Sequence, residues 1–105
     1  MLGLFDDPRA LDDALCSLAM SVRECRGLLT DAVRRGDVTT AAATAHRLKG
    51  AASNLGAARL TASAFALELA LRSAASDVTH LLADASAAID HVLSICQQLR
   101  GAATA

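Results

Sequence analysis

The sequence predicts an all-α fold, an antiparallel up-down-up-down four-helix bundle, and three observations carry that expectation. Hydrophobic residues make up 53% of the 105-residue chain but aromatics only 2%, so the apolar content is mainly alanine and leucine, both strong helix formers. Apolar positions recur at alternating spacings of three and four in four separate runs, the pattern that keeps one side of a helix against a neighbour. Only a few residues separate consecutive runs, which turns each helix back on the one before it.

The first run is Leu11, Leu15, Leu18, Val22, Cys25, Leu29 and Ala32. Asp7 is placed to cap it, Pro8 suits the first helical position and Gly36 ends it, so a helix is expected over residues 8–35. The second run, Val38, Ala41, Ala45, Leu48, Ala52 and Leu55, starts after a Gly36-Asp37 pair in which glycine closes one helix and aspartate caps the next; it spans 38–55, with Gly56 as a left-handed stop. Ala57, Leu60, Ala64, Leu67 and Leu71 predict a third helix over 57–73, ending in the small residues SAAS. Val78, Leu82, Ala85, Ile89, Val92, Cys96 and Leu99 predict a fourth over 77–100, capped by Ser76 or Asp77, with Gly101 just past its end and a GAATA tail that frays.

With one proline and no linker-length run of turn residues, residues 1–105 read as a single domain. Ten basic and eleven acidic side chains are dispersed along the chain for a formal net charge of −1, so no field is built to gather nucleic acid or an anionic membrane. The scarcity of aromatics removes the stacking platforms of single-strand binders. No stretch is long and apolar enough to span a bilayer, and MLGLFDDPR lacks a basic region followed by an apolar one, so the expected location is cytoplasmic. Cys16, Cys25 and Cys96 are odd in number, widely spaced and never in a C-x-x-C pair, which predicts reduced thiols acting as small core residues and no metal site.

The second helix carries the chemistry. At about 100° per residue, its core stripe lies opposite His46, so the imidazole should face outward. Lys49 and Gly50 flank it one turn on, Ser53 lies a further turn along, and Ala42 sits one turn before. Glycine inside a helix costs roughly 1 kcal/mol relative to alanine, and giving another molecule access to His46 is a reason for Gly50 to be there. On the third helix, Glu68 is the one charged side chain between Thr61 and Leu71 and stands at the edge of the seam. From there it can accept the Nδ1 proton of His46 and leave Nε2 free as a nucleophile. Phe65 and Leu69 project away from the core and are candidates for a docking surface.

These residues resemble a known family. HRLKGAASNLG, residues 46–56, is similar to the H-x-L-K-G-x-x-x-x-x-G motif of histidine-containing phosphotransfer domains, the monomeric four-helix modules of multistep two-component phosphorelays. The likeness extends back to Gly36-Asp37 and forward through GAARL to Glu68. The resemblance implies that His46 accepts a phosphoryl group from an aspartyl phosphate on a receiver domain and passes it to a receiver aspartate. Lys49 would stabilise the phosphoryl oxygens, and Glu68 would orient the ring. Partners would be receiver domains of a hybrid sensor kinase or a response regulator. No cofactor would be bound by this chain, magnesium would come with the receiver, and no ATP-dependent kinase activity is expected because the glycines lack nucleotide-loop spacing.

Plainer roles stand beside these. Lys49 can be an ordinary solvated lysine, Glu68 can pair with Arg72 one turn on, and Ser53 and Asn54 can satisfy backbone groups at a helix end. Arg47 and Arg59 are candidates to meet an acidic receiver surface. His80 and His91 fall off the last seam, and their separation does not suit a helical metal pair. Two rival functions remain open: a helical interaction domain that binds or inhibits a partner through Phe65 and Leu69, and an enzyme using His46 as a general base. The absence of a second catalytic cluster counts against the enzyme.

Overall fold

A computed structural model describes residues 8–54 and 57–104. Four helices form: α1 (Pro8–Arg35), α2 (Val38–Asn54), α3 (Ala58–Arg72) and α4 (Val78–Thr104). No strand occurs among the described residues. Each helix packs on the next and α4 returns to α1, so the four enclose one core. Asp7, Leu55 and Gly56, and with them the expected cap and left-handed stop, lie outside the described residues, as does the side chain of Leu11.

The core is built from the apolar seams. Val22 and Leu29 of α1, Leu48 of α2, Leu60 and Leu67 of α3 and Ile89 of α4 are its largest fully buried side chains. Each contributes about 1.5–3 kcal/mol relative to an exposed side chain. Around Leu48, α2 buries only small groups: Ala41, Ala45 and Ala52 are fully covered, and Ala42 nearly so. Short side chains let α1 and α3 come close to the α2 backbone, which brings the edge of α3 within reach of the outer face of α2. Among the described seam positions, two do not reach the core. Val38 opens α2 and Leu99 lies near the end of α4, and both are about half exposed.

The turns follow from local chemistry. Gly36 adopts φ 74°, its N–H bonds to the Val33 carbonyl at 3.1 Å, and the Asp37 N–H bonds to Ala32 at 2.9 Å. This pair of bonds closes α1 with a left-handed residue that glycine adopts without strain. Asp37 then caps α2: its Oδ1 accepts the Thr40 N–H at 3.2 Å. The end of α3 uses the same device with the wrong residue. Ala74 sits at φ 56°, with the Ala75 N–H bonded to the Ala70 carbonyl at 2.9 Å. A left-handed alanine costs roughly 1–2 kcal/mol, and the bond it permits is what retains it.

Along α1 and α4, Arg100 Nε donates to Asp12 Oδ1 at 2.7 Å and Arg26 donates to Asp90. Exposed pairs of this kind contribute little, about 0–1 kcal/mol each, but they mark which turns lie side by side. The expected end of the last helix at residue 100 is corrected: α4 continues through Gly101 to Thr104. Gly101 has no left-handed φ, so it does not terminate the helix, and the alanines after it are the strongest helix formers available. The third helix is one residue shorter at each end than the seam suggested.

Ala74→Gly should stabilise the protein by about 1 kcal/mol, measured as an increased urea midpoint at unchanged slope. A lower midpoint would show that the left-handed conformation carries no strain.

Candidate functional site

The outer face of α2 meets the edge of α3 at a single buried carboxylate. Glu68 stands on α3 between the covered Leu67 and the exposed Leu69, and its side chain is only 8% exposed. His46 is the opposite, with 63% of its side chain exposed. Its Nδ1 lies 3.1 Å from Glu68 Oε2. The same oxygen accepts from Arg72 Nε at 3.1 Å and lies 3.0 Å from Arg72 Nη2. Lys49 Nζ is 3.2 Å from the other oxygen, Oε1. That ion pair lacks hydrogen-bond alignment, so Oε1 is buried without a hydrogen-bond donor.

These contacts decide a protonation state and a tautomer. Burial pushes the Glu68 carboxyl upward, but the Arg72 hydrogen bond, the Lys49 ammonium and the nearby His46 outweigh it and hold the group below the ordinary carboxylate range. An ionised carboxylate has no proton to give, so Nδ1 must be the donor. In the neutral ring Nδ1 therefore carries the hydrogen and Nε2 the lone pair.

Lys49 is not the freely solvated side chain of the plainer reading. Its side chain is 28% exposed, drawn to Glu68, and its ammonium stands over the Phe65 ring at 4.8 Å from the centroid. Phe65 therefore packs on Lys49 as well as facing solvent. With Ser53, Ala58, Thr61 and Ala62, these two residues line an open groove of about 560 Å³ beside the histidine. Gly50 is exposed, and a Cβ built on it would meet nothing within 4 Å. No internal packing explains the glycine.

The remaining candidates are dispersed. Arg47 reaches the other way, bonding Glu24 of α1 at 3.0 Å, and so bridges α1 and α2 rather than standing free. Leu69 and Phe65 are 51% and 47% exposed on α3. Arg59 is exposed, His91 is exposed, and His80 lies 3.5 Å from Asp84 one turn on. Among the described residues, no group of three or more histidine, cysteine, aspartate or glutamate side chains is arranged to hold a metal. The clamp of Arg72 on the same oxygen that meets His46 was visible in sequence only as a helical i, i+4 pair. The Lys49–Phe65 contact had no sequence signal, because it depends on how α3 lies against α2.

A carboxyl held low in the folded state contributes stability above its unfolded value, 4.5, and loses it as pH falls through the folded value. Stability of the native protein should therefore drop as the pH goes below about 4.5, with a shallower dependence in Glu68→Gln. Denaturation midpoints across pH 3–7 check this, roughly spanning the carboxylate range; parallel curves for the two proteins would remove Glu68 from the acid response.

No curated protein and no solved structure matches the chain, and none of its described helices is long and apolar enough to cross a membrane. The family described as the Hpt domain matches residues 13–103, a span that takes in most of α1, all of α2 and α3, and nearly all of α4. The chain belongs to the Hpt domain family, the four-helix phosphocarriers that serve histidine phosphotransfer in phosphorelays and interact with receiver domains of two-component systems.

Proposed function

We propose that His46 is the phosphoacceptor of a relay in which a receiver aspartyl phosphate donates and a receiver aspartate accepts. The observation that carries this reading is the Nδ1 contact with a buried, ionised Glu68, which makes Nε2 the lone-pair nitrogen of the neutral ring. In the proposed step Nε2 attacks phosphorus in line, the Nε2–P bond forms, and the P–O bond to the donor carboxylate breaks. The hydrogen on Nδ1 stays in place, and the positive charge the ring acquires faces the Glu68 carboxylate. Transfer to the acceptor aspartate reverses each change, so the module needs no proton source or sink of its own. Lys49, already in the same charge cluster, supplies positive charge for the phosphoryl oxygens. Gly50 and Ser53 leave room for the receiver beside the ring.

The rest of the reading goes with this. Residues 1–105 act as one domain, a monomer working in the cytoplasm, with the helices in antiparallel up-down-up-down order. The contacts of Asp12 with Arg100 and of Arg26 with Asp90 support that order. The chain binds no cofactor and has no ATP-dependent kinase activity of its own; magnesium sits with the receiver carboxylates. Arg47, Phe65 and Leu69 belong to the receiver-facing surface, with the Arg47–Glu24 pair opening or being contacted as it stands. Exposure of Phe65 and Leu69 also favours a second reading, a protein-interaction domain on which phosphorylation is secondary.

Incubation with a labelled phospho-receiver separates the two. His46→Gln should abolish transfer. Full transfer to that variant would remove His46, and receiver binding indifferent to both the variant and the phosphorylation state would favour the interaction domain. Lys49→Ala should slow transfer on the order of 10- to 100-fold while the far-ultraviolet spectrum is retained; an unchanged rate would take lysine out of the step. Gly50→Gln should leave the free protein as stable or up to about 1 kcal/mol more stable, yet slow transfer at least severalfold. Equal rates would mean that no partner approaches over that position.

A further inference from the structure

Cys16 on α1 and Cys96 on α4 take no part in the proposed transfer, yet they are placed opposite one another. Asp12 and Arg100 are hydrogen-bonded across the two helices. Cys16 lies four residues beyond Asp12 along α1, and Cys96 lies four residues before Arg100 along α4. A step of four residues advances about 6 Å and returns the side chain to the same helix face. The contact between Arg26 and Asp90 continues the pairing in the same sense. The two cysteines therefore occupy the next layer of one seam. Both line a cavity of about 300 Å³ between α1 and α4, and both lie within electrostatic reach of the Arg100 guanidinium.

Their environments differ in a useful way. Cys16 is partly exposed and Cys96 is buried. Burial pushes the Cys96 thiol up, while Arg100 and then Arg23 oppose the rise. The third thiol, Cys25, is sealed in the core with no exposed surface.

We propose that Cys16 and Cys96 form a reversible intrachain disulfide on exposure to a peroxide, a modification site on the α1–α4 seam separate from His46. The Cys16 thiolate attacks one oxygen of hydrogen peroxide, the O–O bond breaks, and hydroxide leaves, so that Cys16 becomes a sulfenic acid. The Cys96 sulfur, giving up its proton, then attacks the Cys16 sulfur. The S–S bond forms, the S–O bond breaks, and the hydroxyl leaves with that proton as water. Two thiols and one peroxide give one disulfide and two waters. A thiol reductant restores both cysteines by exchange. The cross-link fastens the opening turns of the first helix to the closing turns of the last and so constrains nearly the whole unfolded chain.

The test uses the full chain, reduced and then treated with a small excess of hydrogen peroxide under native conditions. Free thiols are alkylated and the protein is digested with trypsin. Cleavage after Arg23 and Arg26 puts the three cysteines on separate peptides. The expected result is a peptide containing Cys16 joined to one containing Cys96, lighter by two hydrogen atoms than their sum, with Cys25 recovered alkylated. The thermal midpoint should rise on the order of 10 °C, and dithiothreitol should abolish both changes. Cys16→Ser and Cys96→Ser should each remove the linked peptide and the shift. Recovery of Cys16 and Cys96 as free or over-oxidised side chains, or a link joining two chains, would overturn the proposal. The map of the unaltered protein decides this even where a serine variant fails to fold.

Discussion

One buried carboxylate organises the outer face of this protein. Glu68 is nearly sealed between α2 and α3, and it stays ionised because three nitrogen-bearing side chains from those two helices converge on it. Burying a charge alone costs several kcal/mol, so the contacts with His46, Lys49 and Arg72 are a requirement of Glu68 being there at all. The dependence runs in both directions. Once the carboxylate is ionised, the neutral imidazole that touches it has one permitted tautomer, and Nε2 is the nitrogen left with a lone pair.

That arrangement needs a particular backbone geometry, and small residues provide it. Ala41, Ala45 and Ala52 leave no bulk between α2 and its neighbours, so α3 lies near enough for a glutamate to span the gap. Arg72, one turn beyond Glu68 on the same helix, holds with two nitrogens the carboxylate oxygen that meets His46. The Phe65 ring holds the Lys49 ammonium from below. His46 is thus exposed as a ring but constrained in orientation, a combination that suits a nucleophile which must meet a partner's phosphoryl group in line. Gly50 is consistent with the same demand. It weakens its helix and relieves no clash inside the protein, so its value lies with whatever approaches from outside.

Elsewhere the structure tolerates a local loss where a turn requires it. Ala74 holds a left-handed conformation that glycine would adopt more readily, because its turn lets the Ala75 N–H bond to Ala70 and sends the chain into α4. The exposed pairs between α1 and α4 add little stability, but they align the two longest helices and, with them, Cys16 and Cys96.

Much of this could be read from the order of residues. Apolar spacing, Pro8, the Gly36-Asp37 pair and the wealth of alanine and leucine are local signals, and local signals specify four helices, the side of each that is buried and the outward aspect of His46. The extension of α4 past Gly101 was missed because a glycine stops a helix only when it takes a left-handed conformation, which its identity permits without requiring. The contacts of Lys49 with Glu68 and Phe65, the sharing of one oxygen by His46 and Arg72, and the pairing of Arg47 with Glu24 were beyond sequence reasoning. Periodicity says which face of a helix turns inward, whereas these contacts depend on the separation and relative height of two helices, set by the packing of side chains scattered across the whole chain.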